Sequence, residues 1–224
     1  MSARPGWGLL ATASLVLGAV LVTTTNSGAT AGFAFTRFAG NDRYDTARRV
    51  AAASFGTSDL VVITSGTGYA DALAGSYAAG LAGVPILLTG RDALPPATAT
   101  ALTDLKATKA LIIGGTAAVG VGAEAALKAR GLTTTRIAGA TRYETSKLVA
   151  ESGGASAVGK TGAASLPTAV VASGESFPDA LSGGPMGYAA HLPIVLTTAA
   201  ALSPEANAAL TDLGIRSVLI VGGT

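Results

Sequence analysis

The stretch TSGTGYADALAGSYAAGLAGVPILLT at residues 64–89 recurs as ASGESFPDALSGGPMGYAAHLPIVLT at residues 172–197, a spacing of 108. An earlier block, RFAGNDRYDTA at residues 37–47, recurs as RIAGATRYETS at residues 136–146 with a spacing of 99. The chain therefore carries one module twice, with nine residues (108 minus 99) inserted in the second copy. A period of this length exceeds the roughly 20–50 residues of a solenoid unit, so each copy is predicted to be a small α/β layer.

The composition of the 224 residues is that of a chain able to bury a sizeable core, with 49% hydrophobic and only 12% charged residues. Aromatic residues make up 5% and there are 30 glycines, so Ala, Val, Leu and Ile are predicted to form the core. Such a core suits helices packed on a parallel sheet. The formal net charge of +2 provides no basic patch of the kind that nucleic-acid binding requires, so nucleic acid is not an expected partner.

The first 31 residues have the pattern of a secretory signal peptide. Arg4 precedes the apolar run LLATASLVLGAVLV at residues 9–22, and Ala29-Thr30-Ala31 offers small residues around a cleavage position. We predict secretion with cleavage after Ala31 and no membrane attachment afterwards. The alternative is an uncleaved membrane anchor, but the run falls short of the roughly 20 residues that a spanning helix needs. The absence of cysteine excludes disulfides and a lipidated N-terminal cysteine.

Apolar runs and helix signals alternate along each copy. The apolar runs are continuous, as in strands that are buried on both faces of a sheet. Because parallel strands need crossover helices, each copy is predicted to be a parallel sheet with helices on both faces, and the chain to be an α/β protein of tandem modules. In the first copy the predicted strands are 36–40, 60–64, 84–88 and 110–114, and the predicted helices are about 41–54, 69–82, 95–105 and 121–130.

Glycine, serine and threonine gather where each predicted strand ends. Ser65 directly follows one such strand in the first copy, and Ser173 occupies the corresponding place in the second copy. In open α/β sheets ligands bind outside the carboxyl ends of the strands, next to helix N-termini that favour anions, so this rim is the candidate binding site. The alternative, supported equally well by the sequence, is that these residue types are those that strand-to-helix turns prefer.

Two repeated features go beyond turn chemistry. Arg43-Tyr44 recurs as Arg142-Tyr143 in the first turn of the opening helix, and Asp71 recurs 108 residues later. A cation near a helix N-terminus opposes the helix dipole unless it has a partner. The partner is either a carboxylate, within the module or across modules, or an anionic ligand. The candidate binding residues are Arg43, Tyr44, Ser65, Asp71, Arg142, Tyr143, Ser173 and Asp179.

The sequence contains residues that resemble enzyme motifs, but the segments around them do not match what those motifs require. GASAVGKT at residues 154–161 has the letters of a P-loop, but that motif needs a buried strand before it and a helix that begins at its Lys-Thr end. Here a helical pattern precedes the motif and Pro167 follows it. His191 is the only histidine and the first copy has Gly83 in its place, which excludes a Ser/His/Asp site shared by the repeats. We therefore expect no enzyme activity, cofactor or metal in these repeats.

Four ordered motifs, R[FI]AGxxRY[DE]T, SGxx[YF]xDAL, PIxLT and GGT, occur twice between residues 36 and 224. This signature resembles the cell wall binding repeat type 2 family of surface proteins in Gram-positive bacteria. The resemblance implies flavodoxin-like or Toll-like modules at residues 36–132 and 135–224, with no activity in the repeats themselves. It also implies a secreted protein that anchors non-covalently to the cell wall by binding an anionic polymer, teichoic-acid-like or a secondary wall polysaccharide.

Two departures from the family pattern lead to further expectations. Members commonly carry three repeats packed about a pseudo-threefold axis, whereas the second repeat here has no counterpart of the closing helix at 121–130. The second repeat is therefore predicted to be C-terminally incomplete, with self-association or a missing third repeat as the consequence. Ala140-Thr141 replaces Asn41-Asp42, so a capping role of Asp42 is predicted not to be shared. The alternatives to wall anchoring are a secreted α/β hydrolase and a structural surface-layer component.

Overall fold

The computed structural model describes residues 34–176 and 178–222, and the side chains of all of these except Pro178 and Asp179. The predicted signal peptide at residues 1–31 lies outside the described residues, as do Gly223 and Thr224 of the second GGT motif. The chain from Phe38 onwards forms one compact unit. No helix within the described ranges is long and apolar enough to cross a lipid bilayer.

Helices and strands alternate through the first repeat, as the sequence predicts. Val61, Val62 and Ile63 are fully buried, which explains why their strand is a continuous apolar run without polar alternation. The elements are α1 (Arg43–Phe55), β1 (Leu60–Ser65), α2 (Ala70–Ala82), β2 (Ile86–Thr89), α3 (Pro96–Asp104), β3 (Lys109–Ile113), α4 (Val121–Ala129) and β4 (Thr133–Ile137).

The second repeat follows the same order, with one helix interrupted. Its counterpart of α2 is divided into two short helices, because Pro185 lacks the backbone N–H that a continuous helix would require and is accepted only in a first turn. The elements are α5 (Arg142–Glu151), a 3-10 turn (Ala155–Ala157), β5 (Lys160–Thr161), β6 (Leu166–Ser173), α6 (Pro178–Leu181), α7 (Gly184–Ala190), β7 (Ile194–Thr197), α8 (Pro204–Asp212) and β8 (Ser217–Val221).

The strands form two sheets. In the first sheet the order is β2-β1-β3-β4 and all neighbours are parallel. In the second sheet β6 pairs in parallel with β7 and β8, and β5 pairs antiparallel with the beginning of β6. Helices cover these parallel strands, which is the doubly wound α/β arrangement predicted from the sequence.

The inserted stretch of the second repeat does not have the geometry of a P-loop. Lys160 and Thr161 form β5, where they pair with Pro167 and Leu166. No helix begins at Lys160, so this segment provides no helix N-terminus for a phosphate group.

The predicted strand at residues 36–40 is wrong. Residues 34–40 form neither helix nor strand, whereas their counterparts in the second repeat form β4. β4 pairs with β3, so the second repeat supplies the fourth strand of the first repeat's sheet. A strand exists only where its backbone groups find a partner, and β4 already occupies the edge of β3. The structural unit therefore extends from α1 to β4, across the boundary between the two sequence repeats.

Arg136 fastens β4 to the first repeat. Its guanidinium lies 2.6 Å from a carboxylate oxygen of Glu124 on α4 and donates a hydrogen bond to the Gly114 carbonyl oxygen at 2.6 Å. Lys128 and Thr134 also contact the Glu124 carboxylate, at 2.7 and 3.1 Å. The Arg136 hydrogen bond, followed by that of Lys128, lowers the pKa of Glu124 from its usual 4.5 to about 2.

This cluster predicts an acid-dependent loss of stability. A carboxyl group whose pKa is depressed in the folded state stabilises the protein above its unfolded pKa, and that contribution is lost as the pH falls from 4.5 through about 2. We expect the wild type to lose on the order of 1 kcal/mol more than Glu124→Gln over this interval, because solvent screens a pair at the surface. Urea unfolding at pH 6 and pH 2.5 measures the difference. Glu205→Gln is the control, and an equal difference for both variants would contradict the assignment.

Both opening helices are capped, although by different side chains. The Asp42 carboxylate accepts from the backbone N–H of Asp45 at 2.8 Å, and the Thr141 hydroxyl accepts from that of Glu144 at 3.1 Å. The prediction that the capping role of Asp42 is not shared is therefore wrong. Either side chain places an acceptor oxygen over the first helical turn, so the substitution preserves the helix start.

Helix α2 lies between the two sheets. Its residues Ala74 and Tyr77 pack in a cluster with Val62 and Ile113 of the first sheet. Its residue Leu73 packs in a different cluster, with strand residues of the second sheet. Burial on opposite sides explains why the helix is rich in Ala and Gly and has no polar face. Side chains of α2 therefore belong to the hydrophobic cores of both repeats.

Candidate functional site

The loop that follows β1 is held by the opening helix of the same repeat. The Arg43 guanidinium donates a hydrogen bond from Nη1 to the Gly66 carbonyl oxygen. The Tyr44 ring lies against Gly66 so closely that a Cβ there would overlap it, with Tyr44 Cζ at 2.9 Å. A side chain at position 66 would therefore have to displace the Tyr44 ring.

The second repeat reproduces this arrangement. The Arg142 guanidinium donates from Nη1 to the Gly174 carbonyl oxygen, and a Cβ at Gly174 would lie 2.7 Å from Tyr143 Cε1. In both repeats the Arg-Tyr pair therefore positions the backbone of the loop at the carboxyl end of the sheet. The partner of the arginine at each helix N-terminus is therefore a backbone carbonyl oxygen.

Ser65 and Ser173 build the turns after their strands. Ser65 is only 2% exposed, and its hydroxyl accepts from the backbone N–H groups of Thr67 and Gly68 at 3.1 and 3.2 Å. The Ser173 hydroxyl accepts from the N–H of Glu175 at 3.1 Å. These hydrogen bonds match the turn-forming alternative left open by the sequence.

Asp71 lies at the junction between the repeats. A Cβ at Gly114 would overlap Asp71 Oδ2, so the carboxylate lies directly on the end of β3. Burial raises the pKa of Asp71, and the Arg142 guanidinium of the second repeat opposes that shift. Within the described residues no cation lies within 4.0 Å of this carboxylate. The charge that Asp71 faces is therefore across the junction and not Arg43 of its own module.

Tyr69 is a junction residue that the sequence analysis missed. Its hydroxyl donates to the Gly174 carbonyl oxygen at 3.1 Å, the same oxygen that accepts from Arg142. The signal was present in the motif SGxx[YF]xDAL, which keeps an aromatic residue two positions before the aspartate. The side chain of Asp179, the counterpart of Asp71, lies outside the described residues.

The junction brings together groups from both repeats at the carboxyl ends of the strands. Tyr69 and Asp71 come from the first repeat, and Arg142 and Tyr143 come from the second. Arg43 and Arg142 are both exposed residues, and a guanidinium has five N–H donors, of which the loop carbonyl uses one. The remaining donors can bind an anion such as a phosphate or carboxylate. Within the described ranges, no three His, Cys, Asp or Glu side chains are grouped as a metal site.

Known proteins with similar sequences include two of Bacillus subtilis (strain 168). The chain matches Cell wall binding domain 2 (CWB2) over residues 37–124 and 136–224. It is 31% identical over 188 residues to N-acetylmuramoyl-L-alanine amidase LytC, and the matched region covers 84% of this chain and 36% of that protein. It is 31% identical over 161 residues to the amidase enhancer, and the matched region covers 72% of this chain and 21% of that protein. The chain thus spans well under half the length of both relatives.

Two solved structures share the fold. Cwp6 from Clostridium difficile has a TM-score of 0.73 and 26% identity, and the match covers 83% of this chain and 28% of that one. Cwp8 from Clostridium difficile has a TM-score of 0.69 and 26% identity, over 83% of this chain and 30% of that one.

Proposed function

The chain belongs to the Cell wall binding domain 2 family, and we propose that it anchors a secreted protein to the cell wall non-covalently, by binding an anionic wall polymer. The proposed binding repeats of the sequence are residues 36–132 and 135–224, preceded by a signal peptide at residues 1–31. The proposed polymer is teichoic-acid-like or a secondary wall polysaccharide.

The observation that supports this proposal is the repeated arginine at the rim. Arg43 and Arg142 hold the same carbonyl in each repeat and remain exposed, with donors left for a ligand. A polymer with regularly spaced anions could engage both positions at once, so that weak single contacts add up to firm retention. The burial of Ser65 favours a structural role for that residue, and the arginines and tyrosines are the proposed contacts.

Binding without catalysis fits the environment of His191. This residue ends α7 with a φ of +53° and is exposed, and its side chain has no hydrogen bond within the described part of the chain. The similarity to the amidase spans only 36% of that enzyme. We therefore propose that the repeats bind and that any enzyme activity resides elsewhere.

Replacing either rim arginine is expected to weaken retention on purified wall polymer. A charge-assisted hydrogen bond contributes on the order of 1 kcal/mol, so Arg43→Ala and Arg142→Ala should each reduce affinity by roughly fivefold. The dependence of retention on salt should become shallower in both variants, because fewer charges are then screened. Polymer-coated columns or sedimentation with wall fragments, at several salt concentrations, measure both quantities.

Lys109→Ala is the matched control. Lys109 is 61% exposed and pairs with Asp59 at 3.2 Å. It begins β3, so it lies at the amino ends of the strands, whereas the rim lies at their carboxyl ends. It should leave retention unchanged. Thermal unfolding of all three variants separates binding from folding, since both arginines also hold a loop. Loss of stability with retention intact in the folded fraction would eliminate the binding role of the rim.

A further inference from the structure

A crevice lies at the carboxyl ends of β1 and β3. The chain leaves β1 through α2 towards β2, and it leaves β3 through α4 towards β4, so the two loops diverge from neighbouring strands. The two helices lie on opposite faces of the sheet, because α2 packs in the cluster of Val62 and α4 packs in the cluster of Ile112. In open α/β sheets ligands bind where the connections diverge in this way.

The Asp71 carboxylate lies in this crevice. It contacts Gly114 at the end of β3, is half-buried, and forms no hydrogen bond or ion pair with a described residue. An acid in the first turn suits the dipole of α2, but no side chain caps this helix by a hydrogen bond. Burial raises the pKa of Asp71 more than the Arg142 charge lowers it. The carboxylate is therefore an acceptor available to a donor from outside the chain.

A second polar group without a partner lies beneath the same crevice. Thr64 is the residue before Ser65 in β1 and is fully buried, and its hydroxyl has no hydrogen-bond partner in the part of the chain that the structure describes. Alternation along the strand places it on the face of Val62, which α2 covers. The fold does not require a hydroxyl here, since Ala172 occupies the equivalent position in β6. A buried hydroxyl without a partner is costly, so Thr64 and Asp71 both indicate a ligand that supplies hydrogen bonds.

The guanidinium of Arg142 is the charge that faces this crevice from the second repeat. Its Nη1 donates to the Gly174 carbonyl oxygen, and its charge acts on Asp71. The residue is exposed, so its other N–H donors can bind an anion. An anion alone is attracted by Arg142 and repelled by Asp71, whereas an anion with a hydroxyl beside it satisfies both side chains.

We propose that the crevice recognises a hydroxyl group next to the anion that Arg142 binds. The Asp71 carboxylate accepts a hydrogen bond from this hydroxyl, and the Thr64 hydroxyl beneath it is the second polar group of the site. The ligand unit is a sugar or polyol that carries an anionic group, such as a phosphate ester, on a carbon next to a free hydroxyl. This inference rests on the proposed binding of an anionic polymer and names the feature of that polymer that the site distinguishes.

Two phosphate esters of equal charge and chain length test the role of the hydroxyl. Glycerol 1-phosphate has a hydroxyl on the carbon next to its ester carbon, and propyl phosphate has none. NMR titration of the full chain, followed at the Gly114, Gly115 and Gly174 amides, gives both dissociation constants. We expect glycerol 1-phosphate to bind roughly fivefold more tightly, as one hydrogen bond predicts. Equal affinities that are both lost in Arg142→Ala would overturn the hydroxyl site and leave the anion site standing, whereas binding of neither ester would overturn both.

Asp71→Asn should change the two affinities in opposite directions. Propyl phosphate should bind roughly twofold more tightly, because the carboxylate charge no longer repels it. Glycerol 1-phosphate should bind more weakly, because a neutral amide oxygen is a poorer acceptor, so the ratio of the two affinities should fall below about two. Asp59→Asn is the control, since Asp59 is 70% exposed and pairs with Lys109 at the amino ends of the strands, and it should keep the wild-type ratio. A change of both affinities in the same direction in Asp71→Asn would overturn the proposal.

Thr64→Val tests the buried hydroxyl, because valine has nearly the same shape. The ratio of the two ester affinities should fall roughly twofold. The thermal unfolding midpoint should equal or exceed that of the wild type, since the hydroxyl has no described partner within the chain to lose. An unchanged ratio would overturn the assignment of Thr64 to the site.

Discussion

Gly80→Ala should lower the free energy of unfolding by roughly 2 kcal/mol, although alanine favours a helix by about 1 kcal/mol over glycine. Gly80 lies on α2, next to the backbone of Tyr188 on α7 of the second repeat. A Cβ at this position would overlap the backbone carbonyl of Tyr188 and lie 2.6 Å from its Cα. Backbone atoms cannot rotate away as a flexible side chain can, so the repeats must separate or α2 must shift.

Gly75→Ala is the matched control because it lies on the same helix. Its Cβ would meet Ile113 and Val62 side-chain atoms at 3.4 and 3.5 Å, which is ordinary contact. This variant should be as stable as the wild type or slightly more stable, since only the helix preference of alanine changes. Guanidinium unfolding of the three proteins measures the effect. Equal stability of the two variants would show that the close approach of α2 to Tyr188 contributes little.

A fragment of residues 36–132, the first repeat as the sequence delimits it, is expected not to fold. It lacks β4, which covers the edge of β3, and α5, whose Val149 packs against the first sheet. Loss of a whole edge strand and a covering helix removes stability comparable with the roughly 5–15 kcal/mol that a domain has in total. A fragment of residues 36–153 restores both elements and should regain cooperative unfolding.

Circular dichroism with thermal and urea unfolding distinguishes the two fragments. The shorter one should show weak helical signal and no transition, and the longer one a transition at a lower midpoint than that of the whole chain. Its midpoint is lower because Leu73 of α2 then has no second sheet to pack against. Equal cooperative transitions for both fragments would contradict the conclusion that the folding unit crosses the repeat boundary.

Sequence patterns were sufficient to locate most elements of the first repeat. The buried run at residues 60–64 and the small-residue helix at 69–82 match β1 and α2 to within one residue. These elements are predictable because burial on both sides leaves a continuous apolar or small-residue pattern, which needs no knowledge of the partner. The two-sided burial of α2 by two different sheets was not predictable, since composition does not identify the neighbour.

Strand pairing was the point at which sequence reasoning failed. TRFAG at residues 36–40 and TRIAG at residues 135–139 carry the same local preference, but the second contributes to β4 and the first does not join a sheet. The difference is the availability of an edge, which is a property of the whole fold. The sequence also did not identify the charge that faces Asp71, because that charge is Arg142 of the other repeat. An inter-module contact was one of the partners that the sequence left open.

The position of α2 between the sheets imposes a delay on the growing polypeptide. α2 ends at Ala82, but the strands that cover its Leu73 side are complete only at Thr197, 115 residues later (197 minus 82). At about 5–20 residues per second, the ribosome needs roughly 6–23 s to supply them. During that interval the second sheet does not yet cover the Leu73 side of α2. The nascent chain therefore exposes the apolar Leu73 side of α2 to solvent until β7 emerges.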